Sequence, residues 1–323
     1  MPKRAHKEGS RLIVNSHIKN DLLNRFRGCL LGLAVGDAVG TTVEFRSRGS
    51  FPPVTDMTGG GPFGLKPGEW TDDTSMALCL ATSLVEMGRF DAGDQMRRYC
   101  RWMDAGYLSS NGRCFDIGAT VSGALNRFKK SGEPFSGSRD AQSAGNGCLM
   151  RLAPIPMFFY PDRDLTIAMS AESARTTHGA VECVEASQLF GTILHKALSG
   201  ATREEILFAH GVSSTTSPKL KQIATGEYRE KSEDEIQGSG YVVESLEAAL
   251  WCFLTTESFR DAILRATNLG RDADTTAAIC GQLAGAFYGE SGIPVGWVKQ
   301  LAMGHEISGL ADRLMLADSR KLA

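Results

Sequence analysis

Apolar residues recur along this chain mostly every three to four positions, the spacing that gathers them on one face of an α-helix. Residues 22–35, 75–87, 118–130, 183–198, 243–254, 259–267 and 275–288 carry that period and predict helices. Strict apolar–polar alternation, the mark of a half-buried strand, is hard to find. Two stretches break the pattern: residues 46–70 are rich in Gly and Pro, and residues 211–240 are polar and charged. Both read as irregular loops. Near the start, Gly28, Gly32, Gly36 and Gly40 repeat every four residues. A glycine costs a helix about 1 kcal/mol relative to alanine, so the stripe predicts close approach of another helix backbone.

Apolar helices of the same character flank both loops, so neither loop reads as an interdomain linker. The expectation is one all-α domain over residues 21–323 with long functional loops, preceded by an arm, residues 1–20. That arm is basic, with one small apolar patch at Leu12, Ile13 and Val14. It lacks the apolar core of a signal peptide. The run "CLLGLAVGDAVG" is broken by Asp37 and by glycines, so no membrane span is expected. With 35 basic and 37 acidic residues interspersed, net charge −2, no nucleic-acid-binding surface is expected either. Eight scattered cysteines without a C-x-x-C pair read as buried thiols of a cytoplasmic protein rather than as a zinc site. Oligomeric state is not legible; the single-domain plan permits a monomer.

Candidate chemistry begins at "GEWTDDTSMAL". Taken alone, Thr71, Asp72 and Asp73 suit a helix start, with Thr71 capping and the acids complementing the dipole. Two hundred residues on, "GRDADTTAAICG" repeats the pattern with Asp272, Asp274 and Thr275. A cap needs one side-chain oxygen at each start, not this excess. If the two starts meet, the crowded carboxylates raise each other's pKa. Hard divalent cations, Mg²⁺ or Mn²⁺, would relieve that conflict through carboxylate and hydroxyl oxygens, and the number of oxygens suits two ions. In "SAGNGCLMR", Gly145, Asn146 and Gly147 form either an ordinary turn or a backbone nest for phosphate. Asp116, between Phe115 and Ile117, is open between a helix N-cap and a partly desolvated proton carrier.

With "GCLLGLAVGDAVGTTVEF", "CFDIGATV", "ARTTHG" and "GSGYVVESLEAALWCF" added to these motifs, the chain from about residue 21 onward resembles the ADP-ribosylglycohydrolase family. The similarity is greatest to its dinitrogenase reductase-activating branch. The resemblance implies a compact, single-domain orthogonal helical bundle and a two-metal centre of Mg²⁺ or Mn²⁺. Thr71, Asp72, Asp73, Asp272, Asp274 and Thr275 would be the ligands. Glu44 matches a family glutamate near the metals, against the alternative of a surface residue. Gly145, Asn146 and Gly147 would cradle the diphosphate, and His178 would help hold phosphate and ribose. Gly240 and Tyr241 fall at the adenosine end, although Tyr241 also suits a core position.

The implied reaction removes mono-ADP-ribose from a modified protein side chain, most often arginine, by cutting the N-glycosidic bond at C1″. Positive charge builds on the sugar as that bond breaks. The metal pair would hold the ribose hydroxyls beside an activated water, with Glu44, Asp116 and Asp274 as the catalytic carboxylates. Other acceptors, serine among them, share the same ADP-ribose half. A reading of a different class makes residues 1–20 a partner-binding arm that blocks an ADP-ribosylating toxin or transferase. A third, a non-catalytic structural role, sits poorly with intact acidic motifs.

Overall fold

A computed structural model describes residues 3–208 and 215–319. Fourteen α-helices make up the fold among these residues. They are α1 (Lys3–Gly40), α2 (Asp72–Met87), α3 (Ala92–Ala105), α4 (Ala119–Ser131) and α5 (Pro154–Phe159). Next come α6 (Arg163–Arg175), α7 (Val181–Leu198), α8 (Arg203–Phe208), α9 (Pro218–Thr225) and α10 (Val242–Leu254). The last are α11 (Phe259–Asn268), α12 (Ala273–Tyr288), α13 (Val295–Gln300) and α14 (Gly304–Ser319). No strand forms among the described residues, only isolated bridges such as Gly145 with Tyr241. The all-α, single-domain reading holds, and each of the seven expected helices is present.

Helix α12 is buried on every side from Ala273 to Ala286, which makes it the axis of the bundle. Its longest seam is with α1, and the glycine stripe is the reason. A Cβ at Gly32 would lie 2.2 Å from the Gly281 carbonyl oxygen, and one at Gly36 would lie 2.1 Å from that of Ala277. At the far end a Cβ on Gly40 would meet the Cα of Asp274 at 2.4 Å. The stripe therefore sets where Asp274 stands relative to the end of α1.

One expectation is corrected, within residues 211–240, and two others gain detail. Helix α1 starts at Lys3, so no break in the helix separates residues 3–20 from the domain; the side chains of the Leu12–Ile13–Val14 patch lie outside the described residues. Residues 19–43 are long and apolar enough to cross a membrane by composition, with mean hydropathy 1.2 in the richest window. Of that window 89% is buried, so the segment is a core helix. Within residues 211–240, where a loop was expected, Pro218–Thr225 is helical, capped by Ser217 and closed by Gly226 in the left-handed region. Residues 211–214 of that stretch lie outside the described residues.

The main core runs through α1, α7, α10 and α12. A smaller one joins α2, α3 and α4 around Met76, Tyr99, Trp102 and Leu125. Helix α2 contributes to both cores, and this anchors its N-terminus against the start of α12.

Candidate active site

The two acidic helix starts meet. Thr275 Oγ1 donates to Asp73 Oδ1 at 3.3 Å, across 202 residues of sequence. Neither start is capped by its own side chain: Thr71 heads α2 and Asp272 heads α12 without a side-chain capping bond. Elsewhere the chain caps helices in the ordinary way, with Asp91, Asp162, Ser217 and Ser258 accepting from backbone N–H groups. At the site the cap is imported. Asp37, buried at the end of α1, accepts from Thr71 N and Thr74 N at 2.9 and 3.0 Å. It also accepts from the hydroxyls of Thr71 and Thr74 at 2.9 and 2.6 Å. Those bonds leave Asp72 and Asp73 free for other work. Sequence reading missed Asp37; its one signal is a lone carboxylate in the otherwise apolar run of residues 28–40 at the end of α1.

Glu44, Asp116 and Asp274 bring carboxylate oxygens within 4.8 Å of one another. Glu44 is buried, not a surface residue. Asp116 is half-buried at φ +59°, and Gly118, not Asp116, heads α4, so the capping alternative is not realised. Burial, then the charges of Asp116 and Asp272, pushes Glu44 up to about 9. Burial foremost pushes Asp116 up to about 7. Asp72, Asp73 and Asp274 rise well above the carboxylate range, from burial first and neighbouring carboxylates second.

This cluster fits divalent cations. Glu44 Oε2 and Asp73 Oδ2 are buried and accept no hydrogen bond from the described residues. An unpaired buried acceptor costs about 1–3 kcal/mol, and more when charged. Hard cations of the Mg²⁺ or Mn²⁺ type take such all-oxygen donor sets. Thr71 remains compatible with a ligand role, since its hydroxyl proton goes to Asp37 while its lone pairs stay available.

A cleft of about 370 Å³ runs from Glu44 and Asp116, past Asp272 and Asp274, to Asn146, His178 and Gly240. Asn146 links its two halves, donating from Nδ2 to Asp272 Oδ2 at 2.8 Å and to Ser245 Oγ at 3.2 Å. A Cβ on Gly147 would come within 2.8 Å of His178 Cε1, so only glycine lets the loop lie against that ring. Tyr241 is placed differently from Gly240. Its hydroxyl donates to Glu182 at 2.5 Å and its ring lies under Lys219, beside the cleft and not among its lining residues.

The ADP-ribosylglycohydrolase family model matches residues 18–322. The chain belongs to the ADP-ribosylglycohydrolase family. Its enzyme class is accordingly that of a glycohydrolase. It is 46% identical over 92% of its length to the ADP-ribosylarginine hydrolase Tri1 of Serratia proteamaculans (strain 568), covering 80% of that protein. With Tri1 of Pseudomonas putida (strain GB-1) the identity is 49% over 90% of this chain and 78% of the relative. The ADP-ribosyl-[dinitrogen reductase] glycohydrolase of Rhodospirillum rubrum is 33% identical over 87% of this chain and 91% of its own. A solved ADP-ribosylglycohydrolase-related protein complex contains a chain that superposes with a TM-score of 0.82 at 41% identity, covering 92% of this chain and 99% of that one.

Proposed function

We propose that this protein hydrolyses the bond between ADP-ribose and an arginine side chain of a modified protein, with a pair of divalent cations at the acidic cluster. The observation that carries the reading is the meeting of the Asp72–Asp73 and Asp272–Asp274–Thr275 motifs with Glu44 and Asp116, in a cleft that also holds the Gly145–Gly147 loop. Two relatives at 46% and 49% identity named ADP-ribosylarginine hydrolases support arginine as the acceptor.

Thr71, Asp72, Asp73, Asp272, Asp274 and Thr275 would hold the cations. When bound, these supply positive charge that neutralises the carboxylates and acidifies the oxygens they touch. The chain does the rest. The Gly145 and Asn146 N–H groups already donate to Ser143 O and Gly240 O, so the Gly147 N–H and His178 bind the diphosphate, fixing the distal ribose over the acidic cluster. Asp116, the more exposed carboxyl, is held at about 7 before metal binds, a range suited to proton transfer. It takes a proton from the attacking water as oxygen bonds to C1″, and returns it to the departing guanidine nitrogen. Glu44, deeper in the cleft, orients the water. One water is consumed; free ADP-ribose and unmodified arginine leave.

The test is ADP-ribose release from an arginine-modified protein. Activity is expected to vanish with EDTA, to return with Mg²⁺ or Mn²⁺, and to fall at least about 100-fold in Asp72→Ala and Asp274→Ala. Wild-type rates from the double variant in chelator would falsify the proposal. Serine- and nucleic-acid-linked conjugates assayed in parallel decide the acceptor.

A second reading concerns the arm, because the family match begins only at residue 18. In it, residues 1–20 bind an ADP-ribosylating toxin or transferase. Deletion of the arm should then abolish partner binding while hydrolysis survives; unchanged binding rejects it.

A further inference from the structure

We propose that Phe45, backed by Phe63 and Phe115, forms the acceptor wall of the cleft, on which the planar guanidinium of an ADP-ribosylated arginine lies. This rests on the arginine reading above and deepens it by naming what recognises the leaving group.

Phe45 is the starting point. It follows Glu44, lines the cleft and is 68% exposed. Its backbone sits in the left-handed region at φ +61°, which is unfavourable for a bulky L-residue. Two backbone bonds of 2.6 Å hold it there, from Phe45 N to Arg271 O and from Arg271 N to Arg46 O. The loop thus presents a phenyl ring to the cleft mouth with little burial to offset its strain. Phe63, from the long glycine-rich loop, meets Phe45 edge-on at 6.4 Å between ring centres. Phe115 packs on Phe63 at 5.2 Å and directly precedes Asp116. The three rings therefore tie together the two loops that carry Glu44 and Asp116.

Charge selects the occupant. Glu44, Asp72, Asp116, Asp272 and Asp274 line the cleft, and among the described residues no Lys or Arg does so. Those five carboxylates exceed the four positive charges of two divalent cations. A flat cation is favoured where aromatic rings border such a site, and guanidinium stacks on ring faces better than a compact ammonium. Serine offers neither charge nor plane. The wall also adjoins Asp116, the group assigned above to return a proton to the departing nitrogen.

Phe45 is exposed, so its variants should fold. With the Mg²⁺-loaded enzyme, Phe45→Ala is expected to raise KM for an ADP-ribosylarginine peptide about 3- to 30-fold. Agmatine, a free guanidinium probe, should inhibit the wild type and lose that effect in the variant. The ADP-ribose Kd should stay within about twofold, and Phe45→Trp should keep wild-type KM. An unchanged KM with unchanged agmatine inhibition overturns the wall while leaving arginine hydrolysis intact. A parallel rise in KM and in ADP-ribose Kd also overturns it, because the ring would then be supporting the Glu44 loop. A wild type that spares arginine conjugates rejects the underlying reading, and the wall with it.

Discussion

Arg151 is fully buried, and its guanidinium meets neutral acceptors: Gly147 O and Thr177 Oγ1 at 2.6 Å each and Ser173 O at 3.3 Å. Arginine only donates, so the Thr177 oxygen accepts that bond. Thr177 then uses both of its roles when it donates its own proton to His178 Nδ1, 2.8 Å away. In that arrangement His178 carries its own proton on Nε2, the atom nearest where a Cβ of Gly145 would stand. Burial, then the Arg151 charge, pushes His178 down to about 3, so the ring is a neutral donor aimed at the phosphate loop. Thr177→Val keeps the shape and removes the relay, leaving Nδ1 unpaired and the Arg151 nitrogen with only its 3.3 Å bond to Ser173 O. ADP-ribose affinity should drop about tenfold by calorimetry, in line with one misaligned hydrogen bond to a charged group. Thr177→Ser should retain it. A valine variant with wild-type affinity would show that the tautomer does not matter.

At the scale of elements, the α1–α12 seam reverses the ordinary sign of a substitution. Glycine to alanine inside an exposed helix gains up to about 1 kcal/mol, and Gly309 on α14, with open space around its Cβ position, should behave so. Gly32→Ala drives a methyl into the Gly281 carbonyl at 2.2 Å. Overpacking there should remove roughly 1–3 kcal/mol, read by urea denaturation. Equal effects at the two positions would refute the seam as the cause. The stripe was legible because a four-residue spacing is a local pattern; its partner was not, since Gly281 lies about 250 residues away and nothing local pairs them. The same limit explains Asp37, whose bonds to Thr71 and Thr74 span 34 and 37 residues. Helix α3 escaped for another reason. Its inner face includes buried Gln95 and Arg98 beside Met96 and Trp102, which blurs the apolar period. The acidic motifs stood out because each exceeds what a helix cap requires, and the structure bears that reasoning out by capping α2 from α1 instead.

For the whole molecule, the acidic centre links stability to pH and metal. Its carboxyls have folded pKa values raised above their unfolded values, Asp116 to about 7 and Glu44 to about 9. The metal-free fold therefore binds more protons than the unfolded chain. This contribution is complete below about pH 4, the ordinary carboxyl value, and is lost as pH climbs through the folded values. His178 works with the opposite sign. It is neutral when folded, so it lowers stability only as pH falls below about 6.5, the value for an unfolded histidine. A scan from about pH 6.5 to 7.5 isolates the carboxylates, between His178 below it and the buried thiols above it, which burial raises and which add the same sign near pH 8.5. In chelator, Tm should fall steadily across that window. Cations displace the protons, so their stabilisation should grow with pH. At free Mg²⁺ about 100 times its Kd the gain is about 2.7 kcal/mol, or about 4 °C for a chain of this length. Asp73→Asn removes one repelling charge, so its chelated form should melt above the chelated wild type at the alkaline end while losing the Mg²⁺ shift. A chelated wild type whose Tm rises with pH over this window, or a Mg²⁺ shift that does not grow with pH, would mean that the carboxylates are not held in mutual repulsion awaiting a cation.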